Sequence, residues 1–492
     1  MHVSAVTRPV ANRSTPHQTW TLIIASLGVF MTALDTLVVT TAVPVLRVDL
    51  HASLSDLEWT VNAFNLAFAC FLLTGAALGD RFGRRRMFAV GLAVFTAASA
   101  AAALSPSAGA LIAARAAQGA GAAIVTPLTL TLITAAFPPE KRSVALGLWG
   151  GITGLAVAGG PVVGGAVVNG LSWHWIFWIN VPIGLVLIPL ALARLSESFG
   201  PRPHLDIVGV ALAGSGFLGL TWGLIRANTV GWGTVEVIGT LLAGAVLVLL
   251  FLAWERRSSS PMLPLGLFRR RGFAAANGVG FFLLAGLFGA LFLMMQLFQT
   301  ALGYGPLQAG LHILPWTATP MVVAPIVGRL AARYGYRPFM VLGMTLQTIG
   351  LAWVAAIASP GMGYGAFAIA LVIAGVGTSM CIPTVAGVAV GSVPPQEAGV
   401  ASGANNAIRQ LGGVFGVAVL AAIFTHKGGY ASPQMFVDGF TPALWVGAGL
   451  SSLGVIAALV TPGHVAAEKP VGAVPPVAVL AGTAEAGVEQ AS

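Results

Sequence analysis

The chain has 492 residues, 57% of them hydrophobic and only 8% charged. A soluble protein covers its surface with about a quarter charged residues, so a water-soluble enzyme and a disordered scaffold are both excluded. The net charge of +9 comes from 24 Lys+Arg against 15 Asp+Glu. It sits in short loops between apolar runs, where membrane topology accounts for it and no nucleic-acid partner is needed.

Segment 1–20 is polar, carries Arg8 and Arg13, and lacks the apolar stretch of a cleavable signal. The first span is therefore expected to direct insertion. Apolar runs long enough to cross a bilayer follow near 21–44, 58–79, 87–106, 109–134, 144–168, 173–194, 207–226, 235–254, 273–298, 307–331, 338–358, 363–389, 399–425 and 440–461. These fourteen runs predict an all-α membrane protein. Residues 462–492, rich in Ala, Gly, Val and Pro, read as a disordered cytoplasmic tail. Cys70 and Cys381 lie inside spans and suggest neither a disulfide nor a metal site, and no cofactor is expected.

Loop parity tests the count. With a cytoplasmic N-terminus, Arg47, Arg226 and Lys427 fall outside, and Arg115 and Arg409 fall within spans. All other basic residues, from Arg8, Arg13 and Arg81 through Arg202 and Arg337 to Lys469, fall on the cytoplasmic side. That asymmetry predicts an even number of spans with both termini cytoplasmic.

The second span ends in Gly75-Ala-Ala-Leu-Gly-Asp-Arg-Phe-Gly-Arg-Arg-Arg86, and the tenth in Gly328-Arg-Leu-Ala-Ala-Arg-Tyr-Gly-Tyr-Arg337. Arg81 and Gly83 match Arg333 and Gly335. Pro138-Pro-Glu140 before the fifth span has its counterpart in Pro394-Pro-Gln-Glu397 before the thirteenth. Matching spans are eight apart, so two homologous six-span bundles (21–196 and 259–461) are expected, with two inserted spans in 197–258. Parallel repeats of this kind are the architecture of major-facilitator transporters, whose site lies at the midplane between the halves.

Asp35 lies in the first span, about 14 Å of helix rise from its outer end. An ionisable side chain at that depth marks function by default. Burial there penalises its charge, and a guanidinium alongside would favour it. Arg115 in the fourth span lies at similar depth, and Gln118 is one turn on. Protonating Asp35 would then release Arg115. Asp80 stands amid Arg81, Arg84, Arg85 and Arg86, where it can pair or cap a helix and so latch one conformation. The second copy carries Ala332 instead, so the latch should be asymmetric. The fifth span holds Gly147, Gly150, Gly151, Gly154, Gly159, Gly160, Pro161, Gly164 and Gly165. Small residues permit close helix packing, and Pro161 should kink the helix. Asn62, Asn65, Asn180, Asn405, Asn406 and Gln410 read as helix-to-helix hydrogen bonds. Among them Asn62 and Asn405, together with His312 in the tenth span and the deep Arg409 in the thirteenth, are candidates for substrate or coupling roles. Asp206 reads as the N-cap of the seventh span, and Trp173, Trp175 and Trp178 as an aromatic belt. No Walker A loop occurs, so any pumping must draw on an ion gradient.

Together these residues resemble the fourteen-span drug:proton antiporter family of the major facilitator superfamily. Leu34-Asp35-Thr36 through Pro44 is similar to its first-span motif, and 76–86 to the superfamily loop motif, with Ala76 where Gly is usual. Arg115, Gln118, Gly119 and Gly121 resemble the fourth-span motif linked to proton coupling. Gly147, Gly160, Pro161, Gly164 and Gly165 resemble the antiporter motif, with Ala156 in place of one glycine. Residues 173–184 resemble the fourteen-span signature, with His174 where Arg is common, and 304–315 also fits. The resemblance implies export against proton entry and leaves the substrate open. The cavity-facing candidates are mostly apolar, Phe or Met, so a lipophilic small molecule is expected, carried across the plasma (inner) membrane by a monomer without enzymatic chemistry. Arg409 leaves a neutral or an anionic substrate open beside a cationic one. A metabolite facilitator or importer on the same fold, and a non-transporting membrane receptor, stay open as alternatives.

Overall fold

The computed structural model describes residues 16–200, 206–258, 261, 263–394 and 397–462. Arg8, Arg13, Arg202 and Lys469, and the expected tail from 463 on, lie outside the described residues. The helices are α1 (Pro16–Asp49), α2 (Leu54–Phe82), α3 (Arg84–Ala103), α4 (Ala108–Ala136), α5 (Pro139–Gly170), α6 (Trp175–Trp178), α7 (Asn180–Arg194), α8 (Ile207–Val230) and α9 (Val235–Arg257). They continue with α10 (Arg271–Gln296), α11 (Pro306–Thr317), α12 (Thr319–Tyr334), α13 (Arg337–Ile357), α14 (Tyr364–Gly391), α15 (Ala398–Lys427) and α16 (Pro433–Leu459). They form 14 spans, because α6 and α7 make one and α11 and α12 make another. Helices satisfy the backbone internally, which lipid demands.

Most helices outrun the apolar stretches that predict them; α1 covers 16–49 where the apolar run covers 21–44. Polar caps set the true ends. Ser53 and Asp56 form a reciprocal capping box on α2, and Asp206 accepts from the Gly209 amide at 2.8 Å to start α8. Gly83 (φ 102°) and Gly335 (φ 85°) end α2 and α12 in a conformation that glycine tolerates and side chains resist. The repeat read in the sequence thus recurs in the backbone. The tenth span is broken where Pro320 lacks the amide that would reach the Trp316 carbonyl. That carbonyl accepts from Thr319 Oγ1 instead, at 2.7 Å.

In the N-terminal half α2 and α3 pack on α4, α1 on α5, and α3 on α7. In the C-terminal half α10 packs on α15 and α16, and α13 on α14 and α16. The halves meet along two seams, α2 against α15 and α5 against α11. The inserted α8 lies over the first seam and touches both α2 and α15, with α9 outside it. Described loop arginines from Arg81 to Arg86, at 256–257, 269–271 and 333–337 lie in alternate connections and so share one end of the molecule, the basic end.

The second seam is shut at one end and open at the other. Near the far end Gly165 lies against the backbone of Pro306 and Leu307, and Gly310 against that of Pro161 and Val162, leaving no room for a Cβ. Gln299 Nε2 donates to the Thr41 carbonyl at 2.9 Å, and the Arg47 guanidinium sits 3.4 Å from the centre of the Tyr430 ring. Toward the basic end Gly147, Gly150, Gly151 and Gly154 face open space. The expectation of close packing therefore holds for Gly160, Gly164 and Gly165 but not for Gly147, and α5 runs unbroken through Pro161.

Candidate functional site

Asp35 is buried at the middle of α1, and three side chains donate to it. Arg115 Nη1 pairs with Oδ2, while Gln118 Nε2 (3.2 Å) and Asn180 Nδ2 (2.9 Å) reach Oδ1. Arg115 is 1% exposed and does not reach solvent. Its Nε donates to the Thr60 carbonyl (3.1 Å), its Nη1 also to Gln118 Oε1 (2.9 Å), and its guanidinium lies 4.4 Å from the Phe64 ring centre. Gln118 Nε2 donates to Ser99 Oγ as well, at 2.8 Å. One carboxylate thus ties together α1, α2, α3, α4 and α7. The charges cancel, and the hydrogen bonds offset the desolvation that buried ions suffer. Asn180 belongs to this knot, although among six polar span residues nothing in the sequence singled it out.

The basic-end loop is tied to its own half. Asp80 pairs with Arg84 at 2.8 Å, and its carbonyl accepts from the Gly200 amide at 3.0 Å. Arg81 lies 5.2 Å from the Phe82 ring centre. The cap on α3 comes not from Asp80 but from Glu197, which accepts from the Arg85 amide at 3.0 Å and pairs with Arg85 and Arg86. Glu197 and the Gly83 turn are packed against each other. The sequence offered no sign of Glu197, since an acid in a polar loop is ordinary.

At the far end, Glu58 is buried on α2 near Tyr430, another acid that the sequence did not single out. Burial pushes the Tyr430 phenol well above the ordinary tyrosine range, with Arg47 opposing, so it stays protonated and donates to Gln296 Oε1. Trp173 is buried and donates to Asp49 at 2.6 Å, so it is a packing residue; Trp175 is half exposed and suits the belt. His312 stacks on Tyr304 (4.6 Å between centres) and meets the edge of Tyr364 (3.9 Å), away from Asp35.

In the C-terminal half Asn405 donates to Asn277 across α15 and α10 at 3.1 Å. Asn62 is fully buried, and neither of its side-chain polar atoms has a partner among the described residues. Arg409 is partly exposed, and its buried Nε likewise has no partner there. No cluster of three His, Cys, Asp or Glu side chains that could hold a metal occurs among the described residues. A groove of about 950 Å³ runs between α2, α4 and α8, lined by Trp59, Cys70, Ala116, Leu218 and Trp222. It lies on the flank of the molecule and contains none of the buried charges.

The family model of the Major Facilitator Superfamily matches residues 25–417 and 278–482. The chain is 35% identical over 424 residues to the tetracenomycin C resistance and export protein of Streptomyces glaucescens, covering 86% of this chain and 79% of that one. It is 36% identical over 408 residues to the multidrug resistance protein Stp of Mycobacterium tuberculosis (82% and 76%). With the cephamycin export protein CmcT of Amycolatopsis lactamdurans it shares 34% over 459 residues (90% and 92%). Among solved structures, a bacterial homologue of the lysosomal transporter Spinster, inward-facing and unoccupied, aligns with TM-score 0.65 at 15% identity, covering 91% of this chain and 98% of that one. A peptide transporter in complex with sulfate aligns with TM-score 0.66 at 15% identity (90% and 94%). At these identities the structures speak to the fold alone.

Proposed function

Since the chain belongs to the drug-efflux transporters of the major facilitator superfamily, we propose that it is a proton-coupled antiporter, exporting a lipophilic compound against proton entry through Asp35. The observation that carries this reading is the closed, neutral knot of Asp35, Arg115, Gln118 and Asn180, buried where α1 meets α4 and α7. The names of the relatives, which concern resistance and export, favour outward movement of a drug.

In this reading the basic end is cytoplasmic, as the positive-inside rule requires, and the membrane is the plasma membrane. The two halves, 21–196 and 259–461, rock about the cavity between them as a monomer, with 197–258 riding outside. The open stretch of α5 then faces the cytoplasm, and the Arg47–Tyr430 contact closes the exterior. When the far end opens, a proton reaches Asp35 and removes the charge that holds Arg115 on Oδ2. The guanidinium keeps its bonds to Gln118 and the Thr60 carbonyl but loses its hold on α1, which loosens α4 from α1. Such a loss of a buried pair biases a two-state element. Return to the inward form releases the proton and restores the pair. Asp80, Arg81, Gly83 and Arg84, with Glu197, keep the ends of α2 and α3 rigid during that motion. Gly160, Pro161, Gly164 and Gly165 let α5 roll against α1 and α11.

The test is transport into inverted vesicles energised by respiration, following dye accumulation and internal pH together. Wild type should accumulate a lipophilic dye and dissipate the pH gradient, and Asp35→Asn should do neither. Gradient-driven accumulation that survives in Asp35→Asn would sink the coupling role. Uptake that runs with the proton rather than against it would favour the importer.

A further inference from the structure

Arg409 differs from every other membrane-depth charge in the described chain. Arg115 and Asp35 neutralise each other. Arg409 makes no hydrogen bond or ion pair with any described residue, and its Nε is buried. No carboxylate of its own half can serve it. Between 263 and 462 the only acids are Glu397 and Asp438. Glu397 lies roughly 18 Å of helix rise away, at the basic end. Asp438 is exposed on α16 and accepts from Gln434 at 2.7 Å. In the other half Asp35 is enclosed by its own donors, and Glu58 lies beside Tyr430 at the far end.

The placement of Arg409 is built. Around α15, one face carries Asn405, Gly412 and Gly416 against α10. The opposite face carries Gly403 and Ala407, against Leu73 of α2 and its neighbours. Leu411 turns to Phe217 of α8, on the outside of the molecule. The remaining arc faces inward between the halves: Ser402 is exposed, Asn406 is partly exposed, and Arg409 lies on this arc at the edge of the α10 contact. Gly280 of α10 makes its position possible, because the Arg409 stem lies where a Cβ on that residue would be, with Cγ only 2.6 Å from it. Phe288 of α10, partly exposed and packed on Gly413 one turn further along α15, supplies an apolar wall.

A guanidinium with free donors, partly exposed at the cavity edge beside an apolar wall, selects an acidic group above all others. We propose that Arg409 is the recognition point for an organic anion, so that the exported compounds carry a carboxylate, sulfonate or ionised phenol on an apolar body. This rests on the efflux reading and assigns the class of substrate within it. Cationic dyes, which an exposed acid would attract, are poor substrates on this assignment.

The test uses purified full-length protein in nanodiscs, with empty nanodiscs subtracted, and needs no gradient. The probes are 8-anilinonaphthalene-1-sulfonate, its uncharged analogue N-phenyl-1-naphthylamine, and tetraphenylphosphonium. Wild type should bind the sulfonate at least about 10-fold tighter than the uncharged analogue. Arg409→Gln should remove that preference and leave the uncharged probe within about 2-fold. Arg409→Lys should retain most of it, and Gly280→Leu, which evicts the stem, should behave like Arg409→Gln. Equal or weaker binding of the sulfonate by wild type overturns the proposal, as does equal loss of both naphthalene probes in Arg409→Gln, which marks a structural arginine. If wild type shows the anion preference in nanodiscs while wild-type vesicles show no proton-coupled transport, the antiport reading fails and the anion site stands.

Discussion

The two halves of the molecule treat buried charge in opposite ways. In the N-terminal half a carboxylate and a guanidinium cancel, and amide side chains occupy the remaining lone pairs. In the C-terminal half a guanidinium stands at the cavity edge with nothing among the described residues to cancel it. An internal repeat built both halves, yet only one holds an acid at this depth. A closed knot can hold or release one proton without a ligand, whereas an open charge needs a ligand to complete it. In the readings proposed above, the difference separates the coupling ion from the cargo into different halves.

That contrast can be broken from the knot outward. Asp35→Asn should have the largest effect, cutting gradient-driven transport by about 100-fold or more, because the amide offers the proton no carboxylate at membrane depth. Initial rates in vesicles read it. Arg115→Ala leaves the carboxylate buried without its countercharge and should cost about 3–5 kcal/mol of stability. Combining it with Asp35→Asn should recover most of that loss in a thermal melt, because no bare charge remains. Asn180→Ala removes one charged-acceptor hydrogen bond and should cost about 1.5–3 kcal/mol of stability in a thermal melt, while transport persists. If Asn180→Ala instead matches Asp35→Asn, the amide is part of the coupling step itself.

The seam of α5 yields a smaller, spatially resolved effect. Gly165→Leu pushes against the Pro306 backbone and should slow transport about 10-fold by propping the far end, as overpacking of about 1–3 kcal/mol predicts. Gly150→Leu, in open space, should change it less than 2-fold, or about 0.4 kcal/mol. Equal effects at both positions would mean that the open stretch closes tightly elsewhere in the cycle. Glu197→Gln, which weakens a helix cap and two partly exposed ion pairs, should leave transport in place and lower stability by only about 1 kcal/mol in a thermal melt.

What the sequence made legible follows from energetic cost. Asp35 and Arg115 stood out because ionisable groups in apolar runs are expensive and so conspicuous, and Gln118 because it lies one turn from Arg115. Glu58 did not, because an acid near a span's end reads as a headgroup anchor; only the fold buries it beneath Tyr430. Asn180 was one amide among several, and its partner is 145 residues away in the chain. The glycines of α5 are evenly spread in sequence. Which of them touch a neighbour depends on how the halves are tilted, and a linear pattern carries no tilt.

The inserted helices have a geometric consequence. α8 lies along one seam and grips α2 and α15 together, its Phe217 set among Leu66, Cys70 and Val414 and its Trp222 ring meeting Trp59 at 5.7 Å. Among the described helices no comparable strap lies over the seam between α5 and α11. That seam is held at its far end by Gly165 and Gly310 and stands open toward the basic end, so the molecule is bound like a book with its spine at α8. In the efflux reading proposed above, a lipophilic molecule dissolved in the leaflet at the basic end meets one side stitched shut and the other open along α5.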